Sequence, residues 1–161
     1  MKNTLTEFYE KRTGLTLGIA DVCYSGESEI QKIEVIETDV WGKVLVLDGM
    51  IMLSENDEFV YHEMITHPVL SIHPNPNHVL IIGGGDGGTA REVVKHPSVN
   101  KVDVVEIDWK VTEVCKQFFP EMHGFNHPAV TVHYADGFDY LNDTDRDQIY
   151  DVIIVDGCDP V

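Results

Sequence analysis

Residues 82–92 read Ile-Gly-Gly-Gly-Asp-Gly-Gly-Thr-Ala-Arg-Glu, with one carboxylate among five glycines. Gly83, Gly85 and Gly88 have the G-x-G-x-x-G spacing of a nucleotide-binding turn. Such turns aim backbone N–H groups at phosphate, which Asp86 would repel. Further acids recur downstream. Glu106, twenty positions beyond Asp86, ends the next apolar run. An acid there can bond both hydroxyls of a ribose. Asp136-Gly137 ends a third run, where the carboxylate can accept from an adenine amino group, although Asp-Gly is also an ordinary turn pair. Asp156 ends a fourth, with Asp159 three residues on. A dinucleotide would carry its pyrophosphate over the glycines, against Asp86. An S-adenosylmethionine-type ligand carries a sulfonium and an amine instead. Intact S-adenosylmethionine also has a carboxylate beside that amine. The decarboxylated form lacks it and suits Asp86 best.

These acids need a scaffold that brings strand ends together. Residues 79–83, VLIIG, form an unbroken apolar run, as in a buried parallel strand. A helix over 89–96, a strand over 101–108, a helix over 109–122, a strand over 129–136, a short helix over 136–143 and a strand over 150–156 follow. This alternation predicts an α/β fold: a Rossmann-like, class I methyltransferase-type parallel sheet with ligands at the carboxyl edge. Upstream, residues 15–53 carry short alternating runs broken by Ser25-Gly26, Trp41-Gly42 and Asp48-Gly49, and predict β-strands. The first dozen residues read as a short helix or as a segment lying across that sheet. Ser54 is placed to cap a helix over residues 56–70. The expected division is a β domain over 1–53 and the first half of the Rossmann-like domain over 54–161. A doubly wound sheet normally continues past its fourth strand, so the fold is expected to be C-terminally incomplete.

Composition narrows the partners. The net charge is −17, with 28 Asp and Glu against 11 Lys and Arg. Nucleic acid is therefore not expected as a partner, and cationic ligands are compatible. No window approaches a membrane span. Three cysteines without metal-ligand spacing read as reduced thiols, which places the protein in the cytoplasm. His62 and His67 are five apart, one residue beyond the H-E-x-x-H spacing, so no metal is expected.

The turn GGGDGGTAREV resembles the signature of the polyamine aminopropyltransferases, the spermidine synthase family. The likeness extends to LDGMIMLSENDEFVYHEMITH (residues 47–67), which is similar to the family's LDG-x-x-Q-x-x-E-x-DEF-x-Y-[QH]-EM segment. VEID, ADGF and DVIIVDGCDPV follow in the family's order and spacing, so that the likeness covers about residues 30–161. It implies the following roles. Asp86 holds the aminopropyl amine of decarboxylated S-adenosylmethionine, the co-substrate, with no prosthetic group. Glu106 binds its ribose, and Asp136 with Gly137 its adenine. Asp156 is the catalytic acid of the D-[SC]-[ST]-D-P motif and Asp159 its amine-binding partner. Tyr61 lines the site and is expected to aid Asp156 in catalysis, His62 stands where the family has Gln or His, and Gln31 matches a cofactor-contacting glutamine. Putrescine is the expected diamine and spermidine the product. Homo-oligomers, dimer or tetramer, are implied, with the β domain at an interface.

Three departures bear on that expectation, the first being Gly157-Cys158 between the last two aspartates, where the family more often has Ser or Cys followed by Ser or Thr. Met52 stands where the family has Gln, which removes a polar contact near the ligands. The family's chain also runs beyond residue 161, so these residues alone are expected to turn over weakly or not at all. Two rival readings are an amine N-methyltransferase using intact S-adenosylmethionine and a non-catalytic nucleoside-binding or assembly fragment.

Overall fold

The structure, a computed structural model, describes residues 3–10, 13–142 and 149–157. It forms two compact units, Met1–Glu58 and Phe59–Val161.

The N-terminal unit is all β. Strands β1 (Thr4–Glu10) and β2 (Thr13–Gly18) pair antiparallel as a separate two-stranded sheet. Within the first dozen residues, Thr4–Glu10 is therefore a strand and not the short helix that is one of the two expectations. Thr, Phe and Tyr in Thr4–Glu10 favour the extended chain, and β2 satisfies its backbone. Strands β3 (Asp21–Glu27), β4 (Lys32–Thr38), β5 (Gly42–Leu47) and β6 (Met50–Ser54) form an antiparallel meander in that order. Asp48 and Gly49 join β5 to β6 with φ of 49° and 83°. Two successive positive φ values describe a type I′ hairpin turn, whose twist matches the flanking strands and which favours Asp-Gly. Leu17, Ile36, Val44 and Val46 form one buried cluster of this unit, packed by Leu5, Ile19 and Ile51.

The second unit opens with α1 (Glu58–Ile72). Ser54 does not cap it. Ser54 ends β6 and its hydroxyl donates to Asp57 Oδ1 at 2.5 Å, before the helix begins. Then follow β7 (His78–Gly83), α2 (Gly88–Val93), β8 (Lys101–Glu106), α3 (Trp109–Phe118), β9 (Val130–Tyr134), α4 (Gly137–Leu141) and β10 (Val152–Asp156). Helix α3 is shorter than expected. Pro120 lacks an N–H and starts the first of two 3-10 turns, Pro120–Met122 and Gly124–Asn126.

The four strands are parallel in the order β10-β7-β8-β9. The chain advances from β7 to β9 in one direction and then returns to the other side of β7. That reversal makes the carboxyl ends of β7 and β10 the switch point where ligands bind in such sheets. Alternate residues serve the two faces. Val79, Ile81, Val102, Val104, Val152 and Ile154 pack with Leu70 of α1 and with Ala90 and Val93 of α2. Each such side chain, fully buried, contributes about 1.5–3 kcal/mol. On the other face Leu80 and Val105 pack with Tyr140.

Asp103, 3% exposed, lies on β8 away from the carboxyl edge. His78 Nε2 is 2.8 Å and Lys101 Nζ 3.2 Å from its Oδ2, and His133 Nε2 is 3.1 Å from its Oδ1. The Tyr150 hydroxyl donates to Oδ2 at 3.3 Å. Burial opposes the charge, but these partners outweigh it and hold the carboxyl down at about 2.

Candidate active site

Parallel register aligns the acids. Asp156 pairs with Gly83 across β10 and β7, and Glu106 pairs with Tyr134 across β8 and β9. Gly83 closes β7 with φ +83°, and the Gly84 N–H donates to the Asp156 carbonyl at 2.8 Å. A Cβ on Gly83 would collide with that carbonyl, so glycine is required both for conformation and for space. Gly85 follows in the turn, its Cα facing the Glu106 carboxylate.

Asp86 points into the unit rather than at solvent. Its Oδ1 accepts from the Gly88 N–H at 2.6 Å and lies 3.2 Å from His62 Nε2. Burial works against its charge. The hydrogen bond and charge of His62, with the Gly88 N–H, outweigh burial and hold the carboxyl below the usual aspartate value. His62 is 2% exposed and comes from α1, one residue after Tyr61. Its imidazole packs edge-on against the Tyr61 ring, centroids 5.5 Å apart.

Asp156 is held through both oxygens. The Tyr61 hydroxyl donates to Oδ1 at 2.9 Å and the Thr89 hydroxyl to Oδ2 at 2.6 Å. Burial, then the negative charge of Asp86, push this carboxyl upward. The two hydroxyl donors and His62 oppose them, and the net shift is upward. Glu106 is likewise raised by burial, reinforced by the charges of Asp108 and Asp86, although its Oε1 accepts from the Asp108 N–H at 2.8 Å.

Tyr61, His62, Asp86 and Asp156 thus form one cluster, with Glu106 and the glycine turn beside it. Asp136 and Gly137 stand at the same sheet edge, where Asp136 caps α4. Its Oδ1 accepts from the N–H groups of Phe138 at 2.7 Å and Asp139 at 3.2 Å. Gln31 belongs to the N-terminal unit, where its N–H donates to the Ser28 hydroxyl at 3.0 Å. Asp159 lies outside the described residues. Two features escape sequence reasoning: the Thr89 hydroxyl on Asp156 and the His62 contact with Asp86. Thr89 opens the expected helix 89–96, but no spacing rule ties it to a strand 67 residues away.

Chemically, the cluster is a small anionic chamber. His62, Asp86 and Asp156 each offer a donor atom, all within 4.8 Å of one another. That set could hold a metal ion. Its two carboxylates equally suit an ammonium group, one of them kept ionised and the other made more basic by its surroundings.

Residues 58–161 match a family model described as the spermine/spermidine synthase domain, and residues 5–55 one described as the spermidine synthase tetramerisation domain. The chain is 46% identical over its whole length to a polyamine aminopropyltransferase of Bacillus cytotoxicus, covering 58% of that protein. It is 52% identical over 147 residues to the spermidine synthase of Schizosaccharomyces pombe, covering 91% of this chain and 49% of the relative. A spermidine synthase solved in complex with the transition state analogue AdoDATO superposes with a TM-score of 0.95 at 42% identity, covering 99% of this chain and 54% of that one. The spermidine synthase of Thermotoga maritima gives a TM-score of 0.93, also at 42% identity, over 99% of this chain and 55% of that one. The chain spans a little over half the length of most of these relatives. On the strength of the matched sequence and fold, the chain belongs to the spermine/spermidine synthase family.

Proposed function

We propose that the protein transfers an aminopropyl group from decarboxylated S-adenosylmethionine to a diamine, with putrescine as acceptor and spermidine as product. The observation that carries this reading is Asp86. It is a carboxylate held ionised inside the glycine turn, beside a second carboxylate that two hydroxyls orient. Phosphate is repelled there and an amine is welcome. In this reading Asp86 takes the aminopropyl ammonium, Glu106 the ribose hydroxyls, and Asp136 with Gly137 the adenine. Tyr61, His62, Asp156 and Asp159 receive the diamine, and Gln31 contacts the co-substrate.

The attacking amine must shed a proton. With an alkylamine pKa of ~10, exposing the lone pair at pH 7 costs roughly 4 kcal/mol. Asp156 accepts that proton, and its raised basicity suits the task. The lone pair then attacks the propyl carbon attached to sulfur. The C–S bond breaks with its electrons going to the sulfonium, which leaves as a neutral thioether. Positive charge is consumed rather than anionic charge created, so positioning and desolvation of the amine carry the catalysis. The acidic surface draws both cationic substrates inward.

The β unit, residues 1–53 in this reading, assembles copies into a dimer or tetramer, which its family match supports. A cytoplasmic setting is supported by free Cys23 and Cys115. Among the described residues, no helix is long and apolar enough to cross a membrane.

Calorimetric titration with decarboxylated and intact S-adenosylmethionine tests the reading. Preference for the decarboxylated form, and formation of spermidine by the full-length protein, are expected. Preference for the intact form would overturn it in favour of amine methylation.

A further inference from the structure

Two hydroxyls meet the Asp156 carboxylate, and the sequence motifs account for one of them. The Tyr61 hydroxyl reaches Oδ1 from α1, and Tyr61 is 49% exposed, so that it can also meet a ligand. The Thr89 hydroxyl reaches Oδ2 from the first turn of α2 at 2.6 Å, and Thr89 is fully buried. A residue without exposed surface cannot touch a substrate and can act only through what it bonds.

We infer that Thr89 is a positioning residue, whose hydroxyl fixes the rotation of the Asp156 carboxylate. The inference rests on the reading of Asp156 as the base for the acceptor amine. Asp156 is anchored at three atoms. The Gly84 N–H bonds its carbonyl, Tyr61 bonds Oδ1 and Thr89 bonds Oδ2. With the backbone and both oxygens fixed, the remaining lone pairs keep one direction in which to receive a proton. A base fixed within a few tenths of an ångström needs no reorientation when the amine arrives.

A methyl in place of the hydroxyl would fill the same space and leave Oδ2 without this donor.

The test is steady-state kinetics of aminopropyl transfer by the full chain, for the unsubstituted protein, Thr89→Val and Thr89→Ser, with melting temperatures measured in parallel. The expected result is a kcat lowered about tenfold in Thr89→Val with KM for the diamine little changed, and Thr89→Ser returning kcat to the original value. An unchanged kcat in Thr89→Val would overturn the inference. So would a Thr89→Ser kcat as low as that of Thr89→Val, because the hydroxyl would then not be the cause. Should Thr89→Val fail to fold, Thr89→Ala takes its place, and the same two outcomes decide the matter. A purely structural threonine would change the melting temperature without this split between kcat and KM. Absence of transfer by the unsubstituted protein would overturn the proposed function and this inference with it, whereas an unchanged kcat in Thr89→Val would overturn the inference alone.

Discussion

Nε2 of His62 lies 3.2 Å from Oδ1 of Asp86, joining α1 to the glycine turn through a side chain that is 2% exposed. The pair explains how a carboxylate persists as an anion in a buried turn. Replacing His62 with Leu removes the partner that offsets burial. Binding of decarboxylated S-adenosylmethionine at pH 7 is expected to weaken about tenfold or more by calorimetry. His62→Gln keeps an N–H donor and is expected to retain most of the affinity.

Asp156→Asn should separate catalysis from binding. The amide accepts no proton from the amine, so turnover in the full-length protein is expected to fall at least about a hundredfold. The dissociation constant for the co-substrate should change little. Stability should move the other way. The folded carboxyl titrates above its ordinary value, so the fold binds a proton more tightly than the unfolded chain does. Stability is therefore lost as pH rises through that window, and the neutral amide avoids the loss. A higher melting temperature for Asp156→Asn at pH 7, measured by circular dichroism, is the expected sign.

Much of this site is legible in the sequence because parallel strands deliver their last residues to one edge. Glycine turn, Glu106, Asp136 and Asp156 can each be placed by counting from an apolar run. What cannot be counted is which strand lies beside which. The Thr89 hydroxyl meets Asp156 only because β10 returns to the flank of β7, and the His62 contact depends on where α1 packs. The same limit applies to the N-terminus. Thr4–Glu10 becomes a strand because β2 pairs with it, and local propensity alone leaves its state open.

Asp103 gives a test of stability against pH with the opposite sign to Asp156. Its carboxyl is held at about 2 against an ordinary 3.8. The stabilisation is fully present above the ordinary value and is lost as pH falls through the folded one. It amounts to roughly 2 kcal/mol at neutral pH. Asp103→Asn should cost that much in urea unfolding at pH 7, and the difference from the unsubstituted protein should shrink steadily between about pH 4 and pH 2.

The closeness of His62, Asp86 and Asp156 invites a metal test. If the chamber serves an ammonium group, excess EDTA should leave turnover of the full-length protein unchanged. Loss of activity in EDTA, restored by one divalent ion, would assign the cluster to that ion instead.

The bond from Gly84 to the Asp156 carbonyl has a consequence for the order of assembly. Thr89 and Asp156 are 67 residues apart in the chain yet share a proton. During synthesis the glycine turn and Asp86 emerge first, and strands β7, β8 and β9 can associate while β10 is still unmade. Closing so long a loop is slow and entropically costly compared with the local βα contacts that precede it. The reactive cluster therefore forms only after β7, β8 and β9 are made, and a nascent chain ending short of Asp156 has neither its proton acceptor nor its completed turn.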